Sequence, residues 1–341
     1  MFKKEIFVIL LWLFVHSFVQ AAEGNLLFIV GKDVKRTEYD IFSSNPVSLE
    51  YRKIIDYGVN PAWSPDRQKI AFIFLKALED KMYGHQMALC VSNRDGSQNR
   101  RAKVKTFRGE VLDLGWSPDG QKIAMATGKW IVITTLDEEI MAYEGPSQIW
   151  QLGWLNDGQG IVFHTKSGIS FLDVKSKEQT STSLGGVFPK ILPGTHKLLY
   201  MSRVEGVEKT ANIIMRDLKR ADEEVLVRNV LVPLPKKSVY CVSGDGKKII
   251  FYRGGPEASK DEVVYGIYDV STRSIKYHRN DGGIMEAVSH DGMKIAGVFK
   301  FGDKAGYGIW DLVTGKKSLI REIREGEIDK RVFGFSRLMD W

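Results

Sequence analysis

Carboxylates, imidazoles and indoles are the side chains here with chemistry to offer, and their spacing decides what kind. Beyond residue 24 the histidines are His85, His164, His196, His278 and His290, spread along the whole chain. No H-E-x-x-H sets two imidazoles on one helix face for zinc, and no G-x-S-x-G turn presents an activated serine. Asp119, Asp157, Asp245 and Asp291 each precede a glycine, as aspartates do in calcium loops. None of these copies has a second carboxylate at ligand spacing or a bidentate glutamate downstream, so turn chemistry accounts for them and no metal is expected. The sequence assigns no catalytic residue and implies no cofactor. Carboxylates are numerous, however, and two that faced each other across a channel would suffice for a glycosidase or lyase. A polysaccharide-active enzyme is therefore the alternative to a non-enzymatic binding role.

The elements that position these residues are organised around Asp113 to Ala126, DLGWSPDGQKIAMA. A short apolar strand ends at Trp116, Ser117-Pro118-Asp119-Gly120 reverses the chain, and a second apolar strand follows. Pro118 presets φ, Asp119 bonds its own backbone in an Asx turn, and Gly120 takes the positive φ that closes the connection. The same pattern recurs at Trp63-Ser64-Pro65-Asp66, Trp154-Leu155-Asn156-Asp157, Val242-Ser243-Gly244-Asp245 and Val288-Ser289-His290-Asp291, with a degenerate copy at Leu192-Pro193-Gly194. The turn positions are 66, 119, 157, 194, 245 and 291. Their spacing brackets the roughly 40 to 45 residues of a four-stranded propeller blade. Phe171-Leu172-Asp173-Val174, Met215-Arg216-Asp217-Leu218, Ile267-Tyr268-Asp269-Val270 and Ile309-Trp310-Asp311-Leu312 place an aspartate where each third strand ends, able to cap the turn to the fourth.

The two ends of this array explain each other. Asn25 to Val30, Tyr39 to Phe42 and Leu49 to Ile55 read as strands b, c and d of a blade without a strand a. At the other end, Arg337-Leu338-Met339-Asp340-Trp341 puts Trp341 where Trp63, Trp116 and Trp154 fall in their copies. The C-terminal strand is expected to complete the N-terminal blade. This predicts an all-β fold, a β-propeller of seven four-stranded blades, or six if the composite blade does not form. Closure removes the exposed edges of a linear array. The tryptophans belong between blades, where each repeat buries its faces against its neighbours.

Residues 1–21 read differently. Lys3 and Lys4 precede the apolar run Ile6 to Val15, and Val19-Gln20-Ala21 offers a small-residue cleavage site, so a secretory signal peptide cut after Ala21 is expected. Residues 22–341 then form one propeller domain, with no membrane-spanning segment in it. The cut deletes Lys3, Lys4 and Glu5 and lowers the net charge of +7 by one. Such a mildly basic exported chain is not a nucleic-acid binder. Two cysteines, Cys90 and Cys241, make no disulfide scaffold. The most basic stretch, Arg94 to Arg108, surrounds an outer strand, where Lys and Arg guard the sheet edge against pairing; attraction to an anionic polymer is the sharper reading.

The W-S-P-D-G-x-x-I-A pattern of Trp116 to Ala124, echoed at Trp63 to Ala71, resembles the TolB-type propeller repeat, also described as WD-repeat-like. The resemblance spans nearly all of the chain after the leader. It implies a propeller and an envelope location, periplasmic or secreted, and TolB itself binds a peptidoglycan-associated lipoprotein. This chain differs in lacking the α/β domain that precedes the TolB propeller, and in its blade count, since TolB has six. Propellers of this kind bind at the mouth of the central channel, on the face made by d-to-a and b-to-c connections. Carried onto this sequence, Tyr57, Glu110, Trp150, Lys236, Asp281 and Arg337 ring that mouth. Trp150 stands out because Trp154 already fills the repeat position. The expected protein is a monomeric binding or scaffold module of the envelope whose partner is an envelope protein or an anionic polymer or glycan.

Overall fold

The strand b segments are continuous apolar runs, as Ile123–Thr127 and Gly160–Thr165 illustrate, and every residue of both is buried. Strand d segments are polar or alternating, as in Tyr51–Ile55 and Gln179–Ser181, and are largely exposed. A sheet covered on both faces near an axis and splayed at a rim requires this gradient. The computed structural model describes residues 25–33, 38–77, 85–105, 109–182, 184–203, 210–231, 240–253, 263–280, 283–323 and 339–340. The expected signal peptide and Trp341 lie outside them. Among the described residues no helix is long and apolar enough to cross a membrane.

Seven four-stranded antiparallel sheets form the blades of a β-propeller. In the order a to d, blade 1 consists of Met339–Asp340, Leu26–Asp33, Glu38–Ser44 and Tyr51–Ile55. Blade 2 is Gly58–Trp63, Lys69–Ala77, His85–Asn93 and Arg100–Arg101. Blade 3 is Val111–Trp116, Ile123–Thr127, Trp130–Thr134 and Glu139–Glu144. Blade 4 is Gln151–Trp154, Gly160–Thr165, Gly168–Asp173 and Gln179–Ser181. Blade 5 is Val187–Ile191, Lys197–Arg203, Thr210–Asp217 and Glu223–Leu231. Blade 6 is Tyr240–Val242, Lys248–Arg253, Val263–Asp269 and Ser274–Asn280. Blade 7 is Ile284–Val288, Lys294–Phe301, Lys304–Asp311 and Lys317–Glu322.

The composite blade forms as its sequence requires: Leu27 pairs with Asp340 and Phe28 with Met339. Strand Met339–Asp340 also contacts strand a of both blade 7 and blade 2, which closes the ring. The largest apolar cluster runs through this junction, from Leu26, Phe28 and Ile41 of blade 1 into blades 2 and 3, and back to Ala296, Tyr307 and Ile309 of blade 7. The rings of Phe28 and Tyr307 sit 5.0 Å apart.

The turn chemistry repeats atom for atom. Ser64, Ser243 and Ser289 hold their hydroxyl oxygens 2.6 Å from Asp66, Asp245 and Asp291. Each hydroxyl also accepts the backbone N–H of the first strand b residue, Lys69, Lys248 or Lys294, at 2.9 Å. Ser117 and Asp119 make the same unit with Lys122. The c-to-d aspartates Asp173, Asp217, Asp269 and Asp311 each accept two successive backbone N–H groups. Asn45 and Thr135 do the same work in blades 1 and 3. The repeat tryptophans tie blade to blade: the indole N–H of Trp63 donates to the carbonyl of Asn25 at 3.0 Å, Trp116 to Ala62 at 3.1 Å and Trp154 to Gly115 at 3.1 Å.

Candidate functional site

Strand a runs from the face made by d-to-a and b-to-c connections toward the face made by the tight turns, so its first residues border the channel mouth. Tyr57, Glu110 and Trp150 stand just before strand a of blades 2, 3 and 4, three consecutive positions on that face. Lys236, Asp281 and Arg337 lie outside the described residues. Glu110 is exposed, while Tyr57 and Trp150 are half-buried.

Each of the three has a distinct local role. Tyr57 adopts a positive φ of 58°. Its backbone N–H donates to the Asp40 carboxylate at 3.1 Å, its ring packs edge-on against Phe74 at 5.9 Å, and the Lys76 ammonium lies 5.2 Å over its face. This geometry fastens blade 1 to blade 2. Glu110 offers its carbonyl to Gly128 at 3.3 Å, so its side chain stands on an anchored backbone. Trp150 donates its backbone N–H to His164 at 3.1 Å, and the adjacent Ile149, fully buried, fixes the connection to Gly128 at 2.9 Å.

Beneath these residues runs a line of buried polar side chains, three residues before each repeat tryptophan. Asn60, 1% exposed, donates its amide to the carbonyl of Val111 in blade 3 at 3.1 Å. Asp113, 4% exposed, accepts the N–H of Leu152 in blade 4 at 3.2 Å and that of Leu114 at 3.0 Å. In blades 2 and 3 this position thus brackets strand a of the next blade. The corresponding residue of blade 4 is Gln151, and among the described residues no such bracket reaches blade 5. There strand a is bulged between Val187 and Lys190, and Phe188 takes a φ of 56°.

Gln151 lies directly opposite His164 across strands a and b, so the two side chains share one face of the sheet. The His164 ring is 4% exposed and stands edge-on to Phe188 at 5.3 Å. Burial pushes its pKa down to about 4, which keeps it neutral at ordinary pH. Its Nδ1, the amide oxygen of Gln151 and the hydroxyl of Ser147 are enclosed without a hydrogen-bond partner in the protein. A buried polar atom left this way costs about 1–3 kcal/mol. Two of them, on Gln151 and His164, stand opposite each other at the mouth end of blade 4.

The buried carboxylates are committed elsewhere. Asp113 holds two backbone N–H groups, and Asp40 holds Tyr57 and faces Lys53 at 3.6 Å. Part of the basic stretch Arg94 to Arg108 is absorbed by blade 3: Arg100 meets Asp137 at 3.1 Å, and the N–H of Lys105 donates to Glu139 at 2.6 Å. Residues 106–108 lie outside the described residues. On the opposite face of the propeller a groove of about 720 Å³ opens between blades 7 and 1, walled by Val47, Leu49, Lys294, Ile309, Asp311 and Lys316. Its walls include the c-to-d turns of both blades, and its Asp311 carboxylate accepts the N–H groups of Val313 and Thr314. Among the described residues no group of three or more His, Cys, Asp or Glu is placed to hold a metal ion.

No protein-family model matches the chain, and no curated protein matches it either. Solved structures resemble it in fold. TolB from Acinetobacter baumannii superposes with a TM-score of 0.54 at 12% identity, over 94% of this chain and 67% of that one. An oligogalacturonate lyase in complex with manganese gives 0.59 at 10% identity, over 91% and 90%. The β-propeller domain of the Trilobed protease from Pyrococcus furiosus, with an open velcro topology, gives 0.53 at 16% identity, over 77% and 82%. In fold the chain is a TolB-like β-propeller, and its neighbours include enzymes and a non-enzymatic protein alike.

Proposed function

We propose that this protein is an exported, non-enzymatic binding or scaffold module of the cell envelope, docking a protein segment or polymer end at the channel mouth. The observation that carries the reading is the corner of blade 4. The half-buried Trp150 leads into strand a there, Gln151 and His164 face each other with an amide oxygen and an imidazole nitrogen unpaired, and the exposed Glu110 heads strand a of the neighbouring blade. The two buried carboxylates, by contrast, are tied to backbone N–H groups as structural brackets. A rigid frame with an aromatic anchor and a few convergent polar groups is suited to recognition. The leader expected from the sequence of residues 1–21 and the likeness in fold to TolB support an envelope location, periplasmic or secreted.

The test is an affinity capture from envelope extract with the chain from Ala22, alongside a Trp150→Ala, Glu110→Lys variant shown by circular dichroism to be folded. A defined protein or glycan retained by the parent and lost from the variant is the expected result. Equal retention by both refutes the mouth as the docking site. Release of shortened saccharides from envelope polysaccharide by the parent would replace the reading with that of a glycan-active enzyme.

A further inference from the structure

The groove of about 720 Å³ between blades 7 and 1 lies on the face away from the mouth. We infer that it binds an extended peptide segment carrying apolar side chains and a carboxylate, independently of anything docked at the mouth. Its size is that of a ligand site, for which about 300–1,000 Å³ is usual. The deepest residues of the lining are apolar: Pro46 is buried, Leu49 half-buried and Ile309 only 3% exposed. The c-to-d turns of residues 45–50 and 311–316 flank it, and both are closed by the same two backbone bonds. Asn45 donates to the Glu50 carbonyl and Leu49 to that of Asn45; Asp311 donates to Lys316 and Gly315 to Asp311, at 2.8–2.9 Å. Walls already fixed in this way leave only the ligand to be ordered on binding.

One turn position singles this junction out. The residue two after the capping side chain donates its N–H to that side chain, and it is exposed. In blades 3, 4, 5 and 6 it is Asp137, Lys175, Lys219 and Ser271. The shorter turn of blade 2 carries Asp95. In blades 1 and 7 the position holds Val47 and Val313, 71% and 69% exposed. Val47 lines the groove, and Val313 stands in the chain between Asp311 and Thr314, which line it from the other blade. Exposed apolar side chains scattered singly are ordinary. Two on the pair of turns that flank an apolar groove, where the other blades keep polar residues, mark a surface that a partner covers.

Charge selects the partner. The ionisable groups of the lining are Lys294, Asp311 and Lys316. Lys294 lies directly opposite Asp311 in the register of strands b and c, and the Asp311 carboxylate accepts two backbone N–H groups besides, so these two charges are matched within the protein. Lys316 is exposed and makes no ion pair among the described residues. Glu50, at the far end of the blade 1 turn, meets Ser48 at 3.5 Å and is outside the lining. The groove thus offers one ammonium for one carboxylate beside its apolar surface. Shape favours a peptide over a lipid surface. A flat bilayer does not reach Leu49 and Ile309 between the two turns, whereas an extended chain, with alternate side chains on one side, places apolar groups there and a carboxylate near Lys316.

The test passes a synthetic pool of acetylated pentapeptide amides over the immobilised chain from Ala22. The pool has Leu, Ile, Val or Phe at its first and third positions and Asp or Glu at its fifth; a second pool has Asn or Gln at the fifth. Retained peptides are identified by mass spectrometry and their affinities measured by fluorescence polarisation. Acidic peptides are expected to be retained, about tenfold or more tighter than their amide counterparts. The double variant Val47→Ser, Val313→Ser, which installs the residue that blade 6 carries at this position, is expected to weaken binding about tenfold or more, and Lys316→Gln to erase the preference for acid. All these positions are exposed, so both variants are expected to melt at the parent's temperature. Trp150→Ala is expected to bind as the parent does. Retention of no acidic peptide, equal retention of both pools, or unchanged binding by the valine variant overturns the inference. Binding lost from Trp150→Ala does so too, by placing the peptide at the mouth. Sedimentation of the parent with phosphatidylglycerol–phosphatidylethanolamine vesicles, lost from the valine variant, would assign the valines to a membrane surface and overturn it as well.

Discussion

Replacing Trp154 separates two roles that tryptophan plays in this chain. Trp154 is 8% exposed, packs among Ile133, Leu152, Ile161 and Leu172, and donates its indole N–H across the blade interface to Gly115 at 3.1 Å. Trp154→Ala removes the whole ring from a packed core, a loss of about 3–5 kcal/mol. Trp154→Phe keeps an aromatic ring and deletes the donor, so it isolates the bracket, at about 1 kcal/mol for the hydrogen bond with a similar sum for the lost bulk. Four residues earlier, Trp150 is half-buried and outside the repeat position, and Trp150→Ala is expected to cost about 1 kcal/mol. Equilibrium urea unfolding followed by circular dichroism measures all three against the parent, provided the slope with denaturant is unchanged. If Trp154→Phe unfolds at the parent's midpoint, the indole-to-carbonyl bracket contributes nothing and the blades are held by apolar contact alone. If Trp150→Ala is as damaging as Trp154→Ala, Trp150 is a core residue and its role as an anchor fails.

Two further outcomes follow from the fold. Deleting residues 338–341 removes the strand that pairs Leu27 with Asp340 and Phe28 with Met339, which exposes the edge of blade 1; unfolding or aggregation is expected, and an unchanged thermal melt would refute the closure. Burial lowers the pKa of His164 to about 4 from an ordinary 6.5, so below pH 6.5 the unfolded chain takes up a proton that the folded chain refuses. Stability should therefore fall as pH drops from about 6.5 to about 4, by on the order of 3 kcal/mol, and urea midpoints of His164→Leu over that range should lose most of the slope.

Much of the frame was legible because its determinants are local. The Ser-Pro-Asp-Gly turn is written in four consecutive residues, and Ser117, Asp119 and Lys122 close it with their own atoms. The missing first strand of the N-terminal blade and the surplus strand at the C-terminus could be matched because both carry repeat spacing. The stand-ins Asn45 and Thr135 break the aspartate pattern, although their side chains accept N–H groups at the same turn positions as Asp173 and Asp269. The b-to-c connection after Leu75 is shorter than the polarity of Lys76 suggests, because strand b continues to Ala77.

The site was less legible because its determinants lie between blades. Asn60, Asp113 and Gln151 each interrupt an apolar strand three residues before a tryptophan, and that spacing was a signal in the sequence. What it could not disclose is that two of the three find a partner in the next blade and the third does not. In blade 5 the Phe188 ring stands edge-on to His164, while the bulge at the start of strand a is shared with blades 2, 3 and 7. A propeller that used one bracket at every junction would have no such corner. Here the junctions are tied by an amide, a carboxylate, tryptophan N–H groups and, between blades 7 and 1, by Phe28 against Tyr307 and Arg321 over Phe42. The asymmetry leaves the Gln151 amide oxygen and His164 Nδ1 unpaired at blade 4, as it leaves the Asn60 amide oxygen unpaired at blade 2.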